Sequence, residues 1–399
     1  MDNEPHHPES TESYTYQPLK SAPAEIRVLI LHAGSGNDPI QCTLFHVEFA
    51  GADYQAMSYV WGPPSDVADE KVIINGLLHS KPLQRNLRQR LLEIRDESHD
   101  ILLWIDALCI NQEDPKEKGH QVAMMGDIFK KAGNVIVWLG PAADNSHLAM
   151  EMIANRTWAT RSSTESERDC ERNALLALTR RPYWRRVWVI QEFQLARRYE
   201  VKCDSHVVGQ QNFEDCLIWA HDAPECHDFT SLNPAYQHQF RRELSTVPQL
   251  NTLWRWIMTC ISCRFEAGDE RDYVYALIGV SHDCRNGEIA SDYGGTTRDA
   301  FLKTAPLLAT QRRMTRRDFV QWGGWFAEKL GLVFDDDLQR EFLDRRGPGF
   351  DDGALREIIE HCQQTTKSYI SSCLLLGSIF FLLFSFFYLP YRASVETGQ

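Results

Sequence analysis

One run constrains the fold more than any other: Leu103-Trp104-Ile105-Asp106-Ala107-Leu108-Cys109-Ile110-Asn111-Gln112. It begins apolar and ends in polar side chains. Strands buried in parallel sheets read as near-continuous apolar runs, and open α/β sheets place their sites at the carboxyl ends of such strands. The run therefore predicts a central strand, Ile101 to Ile105, that delivers Asp106, Asn111 and Gln112 where it stops. Other segments extend the pattern. Glu25 to Ala33 and Gln41 to Phe49 read as a strand and its hairpin partner. Tyr54 to Trp61 is a β-rich run stopped by Gly62-Pro63-Pro64, Asn134 to Leu139 a buried strand closed by Gly140-Pro141, and Tyr199 to Cys203 a further strand. Asn75-Gly76 marks a short hairpin within Lys71 to His79. Helices are predicted over Pro82 to Arg95, from Pro115 onward, over Glu171 to Leu178 and over Tyr183 to Ala196. Arg156 to Arg172, rich in Ser, Thr, Glu and Arg, reads as an exposed loop. Strands alternating with helices imply a parallel α/β sheet flanked by helices.

The rest of the chain sets the setting. Its 399 residues suffice for two domains, or one with appendages. The formal charge of −13 argues against nucleic-acid binding, whose footprint is basic. Eleven scattered cysteines fit a reduced, cytosolic chain. Cys260 and Cys263 form a lone close pair, too few ligands for a zinc site, so no metal is expected. Residues 1–23 read as a disordered N-terminal tail, 24–204 as an α/β core and 205–310 as its mainly helical continuation, with 311–367 a linker or helical segment. Tyr369 to Tyr391 carries no charge, is flanked by Lys367 and Arg392, and has tyrosines at both ends. A spanning helix needs roughly 20 apolar residues with interfacial aromatics at its ends. Residues 368–391 are therefore expected to be a transmembrane tail anchor, followed by a short tail, 392–399, with the main domain cytosolic.

Candidate chemistry centres on Trp188 and Glu192, four residues apart and so on one face of a helix. A carboxylate beside a large aromatic is a plausible functional group, because desolvation tunes its pKa. The plain structural alternative is an ion pair from Glu192 to Arg185, Arg186 or Arg197. For Trp61 and Trp188 it is core packing, and for Asp106 a capping role. A nucleophilic Cys109 with His120 as base and Asp106 as orienter is a third possibility, set against the tendency of free cysteines to be small buried hydrophobes. No Gly-rich dinucleotide or phosphate loop follows a strand.

Three ordered blocks resemble the fungal heterokaryon-incompatibility (HET) domain family. They are Tyr54 to Gly62 (Tyr-Gln-Ala-Met-Ser-Tyr-Val-Trp-Gly), Leu103 to Gly140, and Arg181 to Ala196 with its Trp-Val-Ile-Gln-Glu. Weaker similarity continues through Asp269 to Gly279 and Asp292-Tyr293, so the resemblance spans roughly 24–300. Met57 stands where the family usually has Leu, and Gly119 where it often has Arg. The resemblance implies non-self recognition and cell death through self-association or protein partners. The family in turn resembles, more distantly, TIR signalling domains, which implies a flavodoxin-like sheet. Some TIR domains cleave NAD at the nicotinamide–ribose bond with a glutamate. That likeness nominates Glu192 as catalytic carboxylate and NAD as substrate rather than cofactor, though Val189 replaces the TIR cysteine. On this reading Asp106, Asn111 and Gln112 hold ribose hydroxyls, while Trp61 or Trp188 stacks on a ring.

Overall fold

In the computed structural model, which describes residues 14–345 apart from 23, 37, 63–71, 79–84, 160–163, 245–250, 285–288 and 311–315, apolar runs become nine strands of one sheet. In chain order they are β1 (Glu25–Leu31), β2 (Gln41–Glu48), β3 (Gln55–Ser58), β4 (Ile73–Ile74), β5 (Leu77–Leu78), β6 (Ile101–Trp104), β7 (Asn134–Trp138), β8 (Tyr199–Cys203) and β9 (His206–Gly209). The order across the sheet is β5-β4-β2-β1-β6-β3-β7-β8-β9. The helices between them are α1 (Arg85–Ile94), the single turn α2 (Asp106–Cys109), α3 (Pro115–Lys131), α4 (Ser146–Asn155), α5 (Glu165–Thr179) and α6 (Val189–Gln194). After the sheet come α7 (Gln210–Asp222), α8 (Pro234–Leu244), α9 (Leu253–Ser262) and α10 (Asp272–Ile278).

The parallel sheet expected from the alternation forms at the centre, and a short parallel pair of β2 with β4 lies outside it. At the centre β6, β3, β7 and β8 run parallel, and they are the second, first, third and fourth of those strands in chain order. Outside them, β1 lies antiparallel to both β2 and β6, and β9 antiparallel to β8. Short connections account for the β1–β2 and β8–β9 pairs, because a tight turn joins only antiparallel neighbours. β9 follows β8 across Asp204, at φ 52°. The Asn75-Gly76 turn forms as the sequence requires, with φ 53° and 78° between β4 and β5.

Local signals decide the helix ends. Asp114 caps α3 by accepting from Lys116 N and Glu117 N, with Pro115 in the first turn. The predicted exposed loop 156–172 is half helix instead. α5 starts at Glu165 because Thr164 and Glu167 form a capping box, each satisfying the other's backbone N–H. The predicted single helix Tyr183 to Ala196 is broken into a 3₁₀ turn, Pro182–Arg185, and α6. The break has a distant cause. Val187 N donates to Glu266 O at 2.9 Å and Glu266 N to Arg185 O at 2.6 Å, which holds Arg186 extended.

The end of the predicted disordered tail is also packed. Tyr16 OH donates to Leu108 O at 3.0 Å and its ring lies 4.9 Å from the Arg27 guanidinium. Arg27 itself is fully buried on β1. It makes a bidentate pair with Glu117 of α3, at 2.5 and 2.9 Å, and donates to Cys109 O and Gln17 O. Glu117 also accepts from Asn111 N at 2.7 Å, so one ion pair fixes β1, the turn after β6 and the start of α3.

The described residues fall into two units divided between Thr296 and Thr297. In the second, α11 (Thr297–Thr310), α12 (Arg316–Lys329) and α13 (Asp336–Asp344) share an aromatic core in which Phe319 stacks on Phe342 at 4.2 Å. Among the described residues no helix is long and apolar enough to cross a membrane. The expected anchor, 368–391, lies outside them.

Removing one partner of a buried ion pair strands the other charge, at a cost of about 3–5 kcal/mol, whereas replacing both by apolar groups is often nearly neutral. Arg27→Met is therefore expected to lower unfolding free energy by that amount in urea titrations followed by tryptophan fluorescence. The double variant Arg27→Met/Glu117→Leu is expected to recover most of it. A single variant no worse than the double would refute the role assigned to the pair.

Candidate functional site

Because β3 and β6 are parallel neighbours, the residues just past their ends emerge on the same edge of the sheet. β3 ends at Ser58 and is followed by Tyr59 and Trp61; β6 ends at Trp104 and is followed by Asp106. α6 packs across β3 and β7 and lowers Glu192 onto this edge. The carboxyl ends of parallel strands, where the strand order reverses, are the usual ligand position in open α/β sheets.

Two carboxylates and one guanidinium meet there. Glu192 is 3% exposed, and its Oε2 accepts a short hydrogen bond from Ser58 Oγ. Ser58 Oγ lies 2.6 Å from the Tyr183 hydroxyl, itself fully buried on the 3₁₀ turn. Asp106 Oδ2 accepts from Trp61 Nε1 at 2.7 Å and its Oδ1 from Ala107 N at 2.7 Å. Arg186 donates to Tyr59 O. Trp61, Asp106 and Arg186 are half-buried, whereas Glu192 is enclosed.

The electrostatics follow the burial. Desolvation lifts Glu192 to about 7, against the Arg186 charge and the Ser58 hydrogen bond, with Asp106 adding to the lift. Asp106 is also raised by desolvation, opposed first by Arg186 and then by Trp61. Arg186 is thus the cation common to both acids. A carboxyl poised near 7 can take up or release a proton under neutral conditions, the property required of a general acid or base.

Of the six residues nominated from sequence, the structure brings Glu192, Asp106 and Trp61 together. Gln112 supports them from behind, its Nε2 donating to Asp106 O at 3.0 Å. Asn111 is committed to its own turn, its Oδ1 accepting from Glu113 N and its N–H given to Glu117. Trp188 shares the helical spacing with Glu192, yet its indole N–H goes to Asp272 Oδ2 on α10 at 2.9 Å. Tyr293 OH donates to the other oxygen of Asp272 at 2.6 Å. Trp188 therefore ties the 269–293 segment to the core. Among the described residues Glu192 forms no ion pair with Arg185, Arg186 or Arg197, the three partners the sequence offered; of these, Arg186 acts on it through its field. The arrangement of Cys109 with His120 finds no support: Cys109 is fully buried, burial pushes its thiol up to about 12, and His120 is exposed. Ser58 and Tyr183 are the site residues that sequence reasoning passed over, and Arg186 was named there only as one of three ion-pair candidates for Glu192. Ser58 and Tyr183 stand 125 residues apart, so no local pattern links them.

A cavity of about 320 Å³ opens at the opposite, amino-terminal edge of the strands, between Tyr54, Gln55, Ile101 and Asn134. A second, of about 120 Å³, is lined by Arg172, Leu176, Cys226 and Phe229. Neither reaches Glu192 or Asp106. Among the described residues no group of histidine, cysteine, aspartate and glutamate is arranged to hold a metal ion.

Fold and site define an α/β domain with an enclosed, near-neutral carboxylate at the carboxyl ends of its parallel strands. Residues 54–192 match the family described as Heterokaryon incompatibility protein (HET). The chain is similar to Heterokaryon incompatibility protein 6, OR allele, of Neurospora crassa, 27% identical over 392 residues. That alignment covers 80% of this chain and 55% of the relative, so the chain spans about half of the relative's length. No solved structure matches the chain.

A native pKa above the free value has a definite sign in stability. For Glu192 the stability contribution is fully present below about pH 4.5, the unfolded value, and is lost as pH rises through about 7. Glu192→Gln removes that loss. Relative to wild type, the variant is expected to gain up to about 3 kcal/mol between pH 4 and pH 8 in denaturant titrations. A difference between the two proteins that stays flat with pH would rule out a buried ionising Glu192.

Proposed function

We propose that this chain is a fungal incompatibility protein, acting in non-self recognition and the programmed cell death that follows, through a membrane-tethered interaction and signalling domain. The observation that carries the reading is the HET match over 54–192, together with the incompatibility protein of Neurospora as a relative. The enclosure of Glu192 beneath Ser58 and Tyr183 supports a resting form that meets partners or other copies through its surface. The acidic balance of −13 favours protein partners over nucleic acid. The tether in this proposal is the uncharged run 368–391.

One observation favours a second reading, that of a TIR-like NAD hydrolase. The parallel strands run second, first, third, fourth, as in flavodoxin-like sheets, and Glu192 sits at their switch point. Cleavage of the nicotinamide–ribose bond passes through an oxocarbenium-like state. A carboxylate beside the anomeric carbon lowers that barrier by supplying negative charge where positive charge develops. Glu192 would fill this role, with Asp106 and Gln112 near the ribose and Trp61 against a ring.

Two measurements separate these ideas. NAD turnover by the full-length protein, lost in Glu192→Gln with fold and self-association intact, would establish the hydrolase. Cell death retained in Glu192→Gln would leave the interaction module as the mechanism. For the tether, deletion of 368–399 is expected to release the protein from membranes on fractionation. A truncated protein that still sediments with membranes would refute the anchor.

A further inference from the structure

We propose that Ser58 and Tyr183 are positioning residues for Glu192: a directed chain of hydrogen bonds, from the Tyr183 hydroxyl to Ser58 Oγ to Glu192 Oε2, pins one carboxylate oxygen and leaves Oε1 as the oxygen that acts. That Oε1 acts rests on the hydrolase reading above; that the chain positions the carboxylate does not.

The direction follows from counting hydrogens. A serine hydroxyl has one proton to give. Ser58 gives it to Glu192, so Tyr183 is the donor to Ser58, at 2.6 Å. Burial beside the Glu192 charge pushes the Tyr183 phenol well above its ordinary value, which keeps it protonated and able to donate. Each member comes from a different element: the end of β3, the 3₁₀ turn and α6. All three are at most 3% exposed, so water does not compete for the bonds. Glu192 Oε1 has no hydrogen-bond partner among the described residues, whereas Oε2 is occupied.

The surroundings leave the chain in control of the carboxylate. Charged groups acting on Glu192 are Arg186 and Asp106, and the Tyr59 phenol lies in the same field. From α8, His238 is bonded to Trp184 O; from α10, Asp272 is taken by Trp188 and Tyr293. α3 meets α6 at Gly126, against Gln191 and Leu195. Ser58 is therefore the one side chain hydrogen-bonded to the Glu192 carboxylate among the described residues. Protonation of Glu192 would reverse the chain, since a carboxylic acid becomes a donor. The relay thus couples the charge of Glu192 to the orientation of two hydroxyls.

The test is the infrared band of a protonated carboxyl, titrated with pH in the full-length protein in mild detergent and assigned to Glu192 by its loss in Glu192→Gln. Hydrogen bonds to an ionised group favour the ionised form. Ser58→Ala is expected to move the midpoint up by about one pH unit, a tenfold gain in proton affinity. Ser58→Thr is expected to restore it. Tyr183→Phe, which leaves no cavity and serves if Ser58→Ala fails to fold, is expected to shift it upward by less. If Ser58→Ala and Tyr183→Phe both leave the midpoint where it is in wild type, the positioning role is overturned. Should wild type show no NAD turnover, the hydrolase reading fails while the titration still decides the relay. Where turnover exists, its pH profile is expected to follow the same shifts.

Discussion

A carboxylate as deep as Glu192 cannot be left to itself. Burying an unpaired charge costs far more than a domain's net stability, so the group must be hydrogen-bonded, countered or protonated. This domain uses all three. Ser58 supplies the hydrogen bond, Arg186 the opposing field, and the lift to about 7 lets a proton complete the balance. Each demand fixes part of the architecture. Ser58 has to stand at the very end of β3, α6 has to cross β3 and β7, and the chain before α6 has to bend so that Tyr183 and Arg186 both face inward. The pairing of Arg185 and Val187 with Glu266 makes that bend. The carboxylate site is thus completed by a residue far beyond the third sequence block.

Much of the sheet was legible because apolar runs bounded by Gly and Pro are hard to fold otherwise. Ile101 to Ile105 and Asn134 to Leu139 became β6 and β7 with their ends nearly where the sequence put them. The hairpins β1–β2 and β4–β5 were legible as well. Less visible were the antiparallel pairing of β1 with β6 and the strand β9, which, with Val207 46% exposed, has too little apolar character to announce itself. The start of α5 could have been read, since Thr164 and Glu167 carry the cap in four residues. The break before α6 could not, because Glu266 causes it. The same holds at the site. Glu192, Asp106 and Trp61 carry side chains whose chemistry is evident within their sequence blocks, whereas Tyr183 and Ser58, though in the same blocks, gain their meaning only from meeting.

Trp188 shows why spacing alone misleads. Its position four residues before Glu192 is real, but an indole N–H inside a protein seeks an acceptor, and Asp272 provides one. That bond, with Tyr293 on the other carboxylate oxygen and Arg271 bonded to Tyr293 O and Gly295 O, fastens 269–295 to the core. Gly126 and Gly279 let Gln191 approach so closely that a Cβ at either would sit 3.1 or 3.0 Å from its amide oxygen. The weaker sequence similarity over Asp269 to Gly279 thereby has a physical content: it is the other half of the packing around α6. The first structural unit accordingly runs well past residue 192, where the family match stops.

The buried pair of Arg27 and Glu117 also bears on how the chain is made. Its partners lie 90 residues apart, and Cys109, whose carbonyl also receives Arg27, lies 82 away. A ribosome adds about 5–20 residues each second, so β1 waits on the order of 5–20 s for the acid that neutralises its arginine. Until then β1 and β2 can pair as a hairpin but cannot bury the face that carries Arg27. The first strands are therefore held open, with solvent around a cation destined for the interior, until α3 has left the exit tunnel. In this protein one arginine ties the closure of the core to the order of synthesis.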